Sequence, residues 1–285
     1  MAKKEDMMNN IKEKNLCKIS LNAYDEYVEA LEMGSIVFEQ VLGEGSGFLY
    51  VKKSDAGYGI RIAYEQTIDM EFKNSILNHV VSYIENEQED VYFFICSDNH
   101  EIISKLYSKG FKMLYQSFNM SLSRTNVFTH NVDISLIPYS HDQANKYIDL
   151  LGKAFTPIRK ELSLKPYNWY EKNKETAIRG FKESASNHTL LGYYLDQTLL
   201  GVLEVINNEL ELLAVDPKYQ GNGYGEKLLK RAISVVFGDA RYETMTLSAL
   251  KGNSKAQALY AKHGFEVVAN QTLLVKKANI SKSHL

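Results

Sequence analysis

The sequence is poor in cysteine and proline, and it has no long apolar run. Only two cysteines occur among its 285 residues, Cys17 and Cys96, and neither stands in a metal-ligand or redox spacing. This scarcity excludes a disulfide framework and indicates a reducing compartment. No apolar segment approaches the roughly 18 residues needed to span a bilayer, and none follows the charged N-terminus. We therefore expect a cytoplasmic protein without a membrane partner.

An excess of either charge is also absent. Lys and Arg number 33 and Asp and Glu 35, which gives a formal net charge of -2 at pH 7. Proteins that bind nucleic acid usually carry a basic excess, so we expect no nucleic-acid partner. The seven histidines show no metal spacing, and no Gly-x-Ser-x-Gly motif occurs. The sequence therefore favours neither a metal site nor a serine hydrolase.

What the sequence does contain is an alternation of strand and helix patterns. A chain of this length with 45% hydrophobic residues can bury one large core or two ordinary ones, and length favours two domains. Strands are predicted at 48–51, 60–64, 91–95, 111–123, 133–138, 190–194, 199–206, 210–215, 245–249 and 265–275. Helices are predicted before residue 45, at 71–85, 99–110, 141–155, 157–184 and 253–263, and after Gly225. This order predicts an α/β (α+β) fold with a mixed sheet flanked by helices.

Two segments of the chain resemble each other. Asn99–Phe111 resembles Asn253–Phe265, and an offset of 154 residues (253 − 99 and 264 − 110) aligns both the asparagines and the following glycines. Strand, loop, helix, strand, helix and strand recur in the same order around both segments. We therefore predict two copies of one fold. Carried upstream, the offset places Gln66 against Gln220.

The same offset predicts that the first copy has lost a ligand loop. It places Asp69 and Glu71 against Gly223 and Gly225. Carboxylates at these positions would repel an anion, and their side chains would fill the space that glycines leave open. We therefore expect the N-terminal copy not to bind the ligand of the C-terminal copy.

Residues 212–229 have the pattern of a strand, a glycine-rich loop and a helix. Apolar residues run through Val215, Asp216-Pro217 ends the strand, and helical periodicity resumes after Gly225. Such a junction presents free backbone N–H groups and the positive end of a helix dipole, which suit a phosphate or pyrophosphate. The loop lacks the Gly-Lys-Ser/Thr of a P-loop and the spacing of a dinucleotide-binding loop. An ordinary loop stays the alternative.

Two motifs, in this order, resemble the GCN5-related N-acetyltransferase (GNAT) superfamily. They are Gln220-x-x-Gly223-x-Gly225 after a strand ending at Val215, and Asn253-x-x-Ala256-x-x-Leu259-Tyr260 with His263-Gly264-Phe265. The resemblance implies two acyl-CoA N-acyltransferase-like domains, each a mixed, mostly antiparallel sheet flanked by helices. Residues 1–127 would form a degenerate N-terminal copy, and residues 133–285 the catalytic domain.

By this resemblance acetyl-CoA is the co-substrate, and its pyrophosphate rests on the amides of the glycine-rich loop. The implied binding residues are Leu213, Val215, Gln220, Gly221, Asn222, Gly223, Tyr224, Gly225 and Asn253. Tyr260 occupies the family's position for the general acid that protonates the leaving CoA thiolate, with packing against the sheet as the alternative. A strand amide such as that of Val215 would stabilise the oxyanion while an amine attacks directly.

The general base is open between two carboxylates. Glu204 and Glu211 lie on predicted strands beside the cofactor strand, and either could deprotonate an ammonium directly or through water. Glu211 shares strand parity with Leu213 and Val215. Each could instead be a simple surface carboxylate.

Aromatic residues near the implied acceptor region have two interpretations. Tyr167, Trp169 and Tyr170 lie where the family often borders its acceptor, and core packing is the alternative. Tyr107 of the first copy is displaced by one position from Tyr260 at the 154 offset, so we assign it to packing.

The sequence thus predicts an enzyme that moves an acetyl group from acetyl-CoA to a primary amine in a ternary complex. The alternative is a CoA-binding regulatory or scaffold protein without transferase activity. The acceptor, the acyl-chain preference and the role of the N-terminal copy stay open, and so does the question of a homodimer.

Overall fold

The computed structural model describes residues 30–42, 47–54, 57–64, 89–126, 136–187 and 189–278, and singly residues 27, 74, 75, 78 and 80. The chain forms two compact units. Unit 1 comprises Met1–Phe118 and Val268–Leu285, and unit 2 comprises Asn119–Val267. Most of the helix predicted at 71–85 lies outside the described residues. The helix prediction before residue 45 is wrong for residues 36–42, which form a strand.

Strands and helices alternate along the described chain. The strands are β1 (Ile36–Leu42), β2 (Gly47–Ser54), β3 (Gly57–Tyr64), β4 (Val91–Cys96), β5 (Lys112–Ser123), β6 (Leu136–Pro138), β7 (Thr189–Leu195), β8 (Thr198–Ile206), β9 (Glu209–Val215), β10 (Thr244–Leu250) and β11 (Glu266–Lys276). The helices are α1 (His100–Ser108), α2 (Ala144–Glu161), α3 (Trp169–Lys172), α4 (Lys174–Asn187), α5 (Tyr224–Gly238) and α6 (Ser254–Lys262). No helix in these ranges is long and apolar enough to cross a membrane.

In unit 1 the strand order is β1-β2-β3-β4-β11. The pairs β1·β2, β2·β3 and β4·β11 are antiparallel, and β3·β4 is parallel. Phe93 and Ile95 of β4 are fully buried with Ile102 and Leu106 of α1. Each such side chain contributes about 1.5–3 kcal/mol by leaving water, so this contact between strand and helix supplies much of the core of unit 1.

In unit 2 the strand order is β10-β9-β8-β7-β6. Strand β8 is buried almost throughout, because helices cover both faces of the sheet. On one face Val202 packs with Tyr147 of α2 and Phe181 of α4. On the other face, a Cβ at Gly201 would lie 2.6 Å from Leu228 Cδ1 of α5. The expectation of mixed, mostly antiparallel sheets flanked by helices is therefore confirmed.

Helix α2 continues where the sequence predicted a break. Pro157 lies inside the helix, which ends only at Glu161. A proline removes the hydrogen bond to the carbonyl four residues earlier, here Lys153, and both residues are exposed, so water can satisfy that carbonyl. The predicted interruption near Pro166 is confirmed, since α3 begins at Trp169.

The final strand joins unit 1 instead of closing unit 2. Residues 271–276 of β11 pair with β4 from Gln271↔Cys96 to Lys276↔Val91. Side chains support this pairing, because the Ser97 and Thr272 hydroxyls lie 2.8 Å apart and Gln116 Nε2 donates to Thr272 Oγ1 at 3.1 Å. The predicted domain ranges 1–127 and 133–285 stay predictions about independently folding parts.

The sequence repeat corresponds to a repeated local conformation. Helices α1 and α6 are each followed by a glycine in the left-handed region, Gly110 with φ +88° and Gly264 with φ +84°. In each the next phenylalanine donates its N–H back into the helix at 3.1 Å, Phe111 to Leu106 and Phe265 to Tyr260. Leu106 is therefore the counterpart of Tyr260. The assignment of Tyr107 to packing is wrong, because that side chain is 45% exposed.

The offset of 154 does not hold at the preceding strand. Each unit contains one parallel strand pair, β3 with β4 and β9 with β10. Gly59 pairs with Tyr92 in the first, and Glu209 occupies the equivalent position opposite Thr246 in the second. The offset is 154 at β4 and β10 (246 − 92) but 150 at β3 and β9 (209 − 59). The offset of 154 would align 60–64 with 214–218, and this alignment is wrong by four residues. The helix motif does not encode the length of the loop between the strand and the helix. The carboxylates at 69 and 71 lie outside the described residues.

Candidate functional site

Strands β9 and β10 separate after a short parallel pairing. They pair only at Thr246↔Glu209 and Leu247↔Leu210. From Leu212 to Val215, β9 pairs with β8 alone among the described residues. Asp216 N–H donates to Leu200 O of β8 at 2.9 Å, so alternation along the strand places the amides of 213 and 215 on the opposite edge. That edge has no strand partner among the described residues, so an extended ligand with amide groups could pair with it.

A β-bulge lies at the mouth of this separation. Glu204 pairs with Leu212 and Val205 pairs with Leu210, so Glu211 is the extra residue on β9. Bulges bend a strand and re-aim a side chain, and they are frequent beside active sites. The strand-parity argument for Glu211 therefore fails, since the alternation is interrupted at that residue. The register of β2 with β3 in unit 1 has no such shift.

The glycine-rich loop is held open by its own polar side chains. Asp216 Oδ1 accepts from Lys218 N–H at 2.9 Å, and Gln220 Nε2 donates to Val215 O at 3.0 Å. Gly221 and Gly223 have φ +82° and +79°, a region that residues with a Cβ rarely adopt. The Gln220 side chain thus fixes the loop to the strand.

The start of α5 presents a row of free donors. Within the described residues, the backbone N–H groups of 221–226 donate no hydrogen bond, and the first internal bond of the helix is Lys227 N–H to Gly223 O at 3.1 Å. Space above Gly221 and Gly223 is open, since an added Cβ would meet nothing within 4 Å. Together with the helix dipole, these donors suit a pyrophosphate.

Glu226 in the first turn of α5 ties this helix to α6. Its carboxylate lies 2.6 Å from Lys262 Nζ and 3.0 Å from Lys230 Nζ. The hydrogen bonds from Lys262 and Lys230 lower the pKa of Glu226 to about 2. The sequence does not reveal this role, because Lys262 lies 36 residues away from Glu226 in the chain.

Asn253 caps helix α6. Its Oδ1 accepts from Ala256 N–H at 3.2 Å, a standard N-cap contact. Leu259 of the same helix reaches the loop, since its Cδ2 would lie 3.7 Å from a Cβ at Gly225. The structure thus assigns Asn253 a structural role, and its contact with a cofactor stays a prediction.

Tyr260 is 8% exposed, and its ring lies 5.9 Å from that of Phe265. No hydrogen bond to its hydroxyl is found among the described residues. Burial raises the pKa of Tyr260 to about 12. The phenol is therefore neutral at physiological pH, and its O–H group can donate a hydrogen bond. Its ring is also buried against Phe265, so the packing role that was the alternative interpretation applies as well.

Glu204 lies in the middle of β8 and is only 9% exposed. It pairs with Leu190 on one side and Leu212 on the other, so these three side chains share the sheet face covered by α2 and α4. A carboxylate at such a position costs free energy unless it is compensated or functional.

Tyr170 brings both candidate bases into one electrostatic environment. The pKa of Tyr170 is raised to about 12, mainly by burial and also by the charges of Glu204 and Glu211, which outweigh the lowering by Arg159. The Tyr170 ring stacks at 6.0 Å on Phe155. Tyr170 therefore packs in the core and also lies near the carboxylates, which combines the two interpretations made from the sequence. Within the described part of the chain, no three His, Cys, Asp or Glu side chains could together hold a metal ion.

The C-terminal half of the chain matches a known family. The model of the Acetyltransferase (GNAT) family matches residues 149–265. No curated protein gives a significant match.

Solved structures share the fold at low sequence identity. A GCN5-related N-acetyltransferase from Sphaerobacter thermophilus is 11% identical with a TM-score of 0.54, over 82% of this chain and 77% of that chain. A tandem GNAT protein from the clavulanic acid biosynthesis pathway is 11% identical with a TM-score of 0.54, over 84% and 82%. A Drosophila protein is 14% identical with a TM-score of 0.65, over 98% and 97%. Residues 149–265 of the chain are therefore similar to the GNAT acetyltransferase family, and the solved structures show that the fold is shared.

Proposed function

We propose that unit 2 moves an acetyl group from acetyl-CoA to a primary amine by direct attack in a ternary complex. The observation that carries this proposal is the separation of β9 from β10 beside a helix start with free N–H groups at 221–226. Acetyl-CoA carries its thioester on an extended, amide-bearing arm that ends in a pyrophosphate. The arm would pair with the free edge of β9, and the pyrophosphate would accept from the N–H groups of 221–226. The acyl donor is a substrate, so the protein's contribution is to bind it, orient it and supply protons.

The donor's binding residues follow from the loop and the strand edge. The amides of 221–226 would hold the pyrophosphate, with Gly221 and Gly223 leaving room for it. The amides of Leu213 and Val215, on the unpaired edge of β9, would bind the amide-bearing arm in the manner of an added strand. The amide of Val215 would also donate to the oxyanion that forms when the thioester carbonyl is attacked.

Tyr260 would act on the leaving group. The amine nitrogen forms a bond to the thioester carbon, the carbon–sulfur bond breaks, and the thiolate needs a proton. Because burial raises the pKa of Tyr260 to about 12, the phenol still carries its proton when the reaction begins. A thiol has a pKa of about 8.5, so Tyr260 would donate a hydrogen bond to the leaving sulfur. The second proton of the attacking nitrogen, passed on through the phenol, would complete the thiol and leave Tyr260 protonated.

Glu204 is the better candidate for the base. It is nine-tenths buried on a central strand, whereas Glu211 is exposed at the bulge. Glu204 would take the proton of the attacking ammonium, directly or through water, and Glu211 would add a second negative charge that favours a cationic amine. Tyr170, which interacts electrostatically with both carboxylates, would border the acceptor.

The test is a thermal-shift measurement with acetyl-CoA and longer acyl-CoA donors, followed by a thiol-release assay over a panel of primary amines. We expect acetyl-CoA to raise the melting temperature and at least one amine to release thiol. Stabilisation without turnover on any amine would favour a CoA-binding regulator, and no shift with any acyl-CoA would refute the proposal.

A further inference from the structure

An open pocket of about 650 Å³ lies beside the C-terminal part of α2. Volumes of roughly 300–1,000 Å³ are typical of small-molecule sites. The residues that line it are Thr156, Lys160, Lys165, Pro166, Tyr167 and Asn168. They come from α2 and from the segment that joins α2 to α3, so all of them belong to unit 2.

The charge of this lining is positive and unbalanced. It includes two lysines and no carboxylate. Among the described residues, neither Lys160 nor Lys165 forms an ion pair or a side-chain hydrogen bond. The carboxylate of Glu171 is close by, but it accepts from Asn168 Nδ2 at 3.1 Å. Two ammonium groups at one pocket repel each other, and a bound anion would offset that repulsion.

The walls of the pocket are fixed by hydrogen bonds across the connecting segment. Thr156 Oγ1 donates to Tyr167 O at 3.3 Å, and Arg159 Nε donates to Pro166 O at 3.0 Å. Leu164 N–H donates to Arg159 O at 2.7 Å. These bonds hold the segment that carries Lys165 against the helix that carries Lys160, so the pocket is formed before any ligand binds.

The same elements adjoin the proposed reaction site. Ile158 and Leu162 at the end of α2 touch the loop before Asn253, since a Cβ at Gly252 would lie 4.0 Å from Ile158 Cδ1 and 3.5 Å from Leu162 Cδ2. Beyond the pocket the chain continues into α3, where Tyr170 interacts electrostatically with Glu204 and Glu211.

We propose that this pocket binds an anionic group, a carboxylate or a phosphate, of the amine acceptor, and that Lys160 and Lys165 are its specificity-determining residues. The inference rests on the proposed function, because it assumes that the acceptor's ammonium group lies near Glu204 and Glu211. The acceptor is then an amine that also carries an acid group, joined by an apolar body that lies along Pro166 and Tyr167.

The probes are ω-amino carboxylic acids of increasing chain length, each compared with its neutral amide and with the matching ω-aminoalkyl phosphate. We expect one or both anionic members to be acetylated with a KM about tenfold below that of the amide. The relative KM of carboxylate and phosphate then identifies the anion. Equal KM values for acid, phosphate and amide at every chain length would overturn the proposal.

Variants assign the preference to the two lysines. Replacing both, by Lys160→Met with Lys165→Met, should raise KM for the anionic acceptor about tenfold and leave KM for its amide unchanged. Arginine at both positions should restore most of the preference. Lys182→Met, an exposed lysine of α4, is the matched control and should change neither KM. A loss that affects acid and amide equally would show a structural role and contradict the assignment.

Calorimetry separates this inference from the proposed function. Binding of the acid and its amide is measured at saturating CoA, which needs no turnover. One outcome is that the acid binds more tightly than its amide, that the double lysine substitution abolishes this difference, and that no amine is acetylated. This outcome would support the proposed anion pocket and refute the proposed transferase activity. Turnover of amines without any such preference would support the transferase and refute the pocket.

Discussion

Leu210 and Leu247 form the last residue pair that joins β9 to β10. Beyond this pair the two parallel strands separate, and the amides of Leu213 and Val215 are left on the open edge. An unpaired strand edge inside a folded domain is costly unless something else satisfies its polar groups. The separation is therefore the part of unit 2 that a ligand would complete.

Replacing Gly223 should remove donor binding. Gly223 has φ +79° and open space above it, so Gly223→Glu places a charged side chain where the pyrophosphate would lie. At a ligand concentration about 100 times Kd, binding stabilises a protein by ~2.7 kcal/mol. We expect thermal-shift measurements with acetyl-CoA to show that gain for the parent protein and none for the variant.

Gly238→Glu is the control for the added charge, since Gly238 is exposed at the other end of α5. It should keep the full shift. A normal shift for Gly223→Glu would contradict the assignment of the loop.

Replacing the Tyr260 hydroxyl should slow the reaction and leave binding intact. The hydroxyl has no partner among the described residues, so Tyr260→Phe keeps the ring contact with Phe265. Loss of a general acid typically costs about 100-fold or more in rate. Steady-state kinetics should show this loss in kcat with little change in KM for acetyl-CoA.

Tyr107→Phe is the matched control, because Tyr107 is an exposed tyrosine near the end of the repeated helix α1. It should be silent. If Tyr260→Phe were equally silent, Tyr260 would only pack against the sheet.

Glu204→Gln should slow the deprotonation of the acceptor amine. The buried position of Glu204 makes it the proposed base, and an amide cannot accept the proton. We expect kcat/KM at neutral pH to fall about 100-fold, with Glu211→Gln losing less. The opposite order of the two variants would make the bulge residue the base.

High pH should destabilise unit 2 through its buried phenols. The folded pKa values of Tyr260 and Tyr170 are raised to about 12, above the unfolded value of about 10. Their contribution to stability is thus complete below pH ~10 and is lost as pH rises from ~10 to ~12. Urea unfolding over this range should show the free energy of unfolding falling by up to ~1.4 kcal/mol per pH unit for each group. Tyr260→Phe should fall less steeply, and an unchanged slope would show that Tyr260 ionises freely.

Low pH should weaken the link between α5 and α6. The pKa of Glu226 is lowered to about 2 by Lys262 and Lys230, so its contribution is present above the unfolded pKa of ~4.3 and is lost as pH falls toward ~2. Because these side chains are partly exposed, we expect only ~1 kcal/mol. Glu226→Gln should lose that amount at pH ~6 and nothing at pH ~2 in thermal unfolding, whereas the exposed Glu175→Gln should lose little at either pH. A constant loss at both pH values would mean that the ion pairs contribute nothing.

Much of the candidate site could be predicted because it is encoded locally. The helix cap at Asn253, the positive φ at Gly264 and the loop glycines each depend on residues within a turn of themselves. Such positions select particular residue types directly, so the pattern of the sequence carries them. The strands β4, β8 and β9 were predictable for the same reason, since their apolar runs match their burial.

Other features could not be predicted, because they depend on which distant segments meet. The bulge at Glu211 exists only in the register of β9 with β8. Loop length before the helix changed the repeat offset at β3, and the exposure of Tyr107 followed from the face that α1 buries.

By itself, the sequence of this protein determined most of its strands and helices after residue 90, its glycine-rich loop and its family resemblance, since each is set largely by neighbouring residues. Only the tertiary structure decided that β9 and β10 separate after Leu210, that β11 joins unit 1, and that Lys160 and Lys165 line one pocket. Those outcomes are settled by pairing and packing energies between segments far apart in the chain, which no local pattern records.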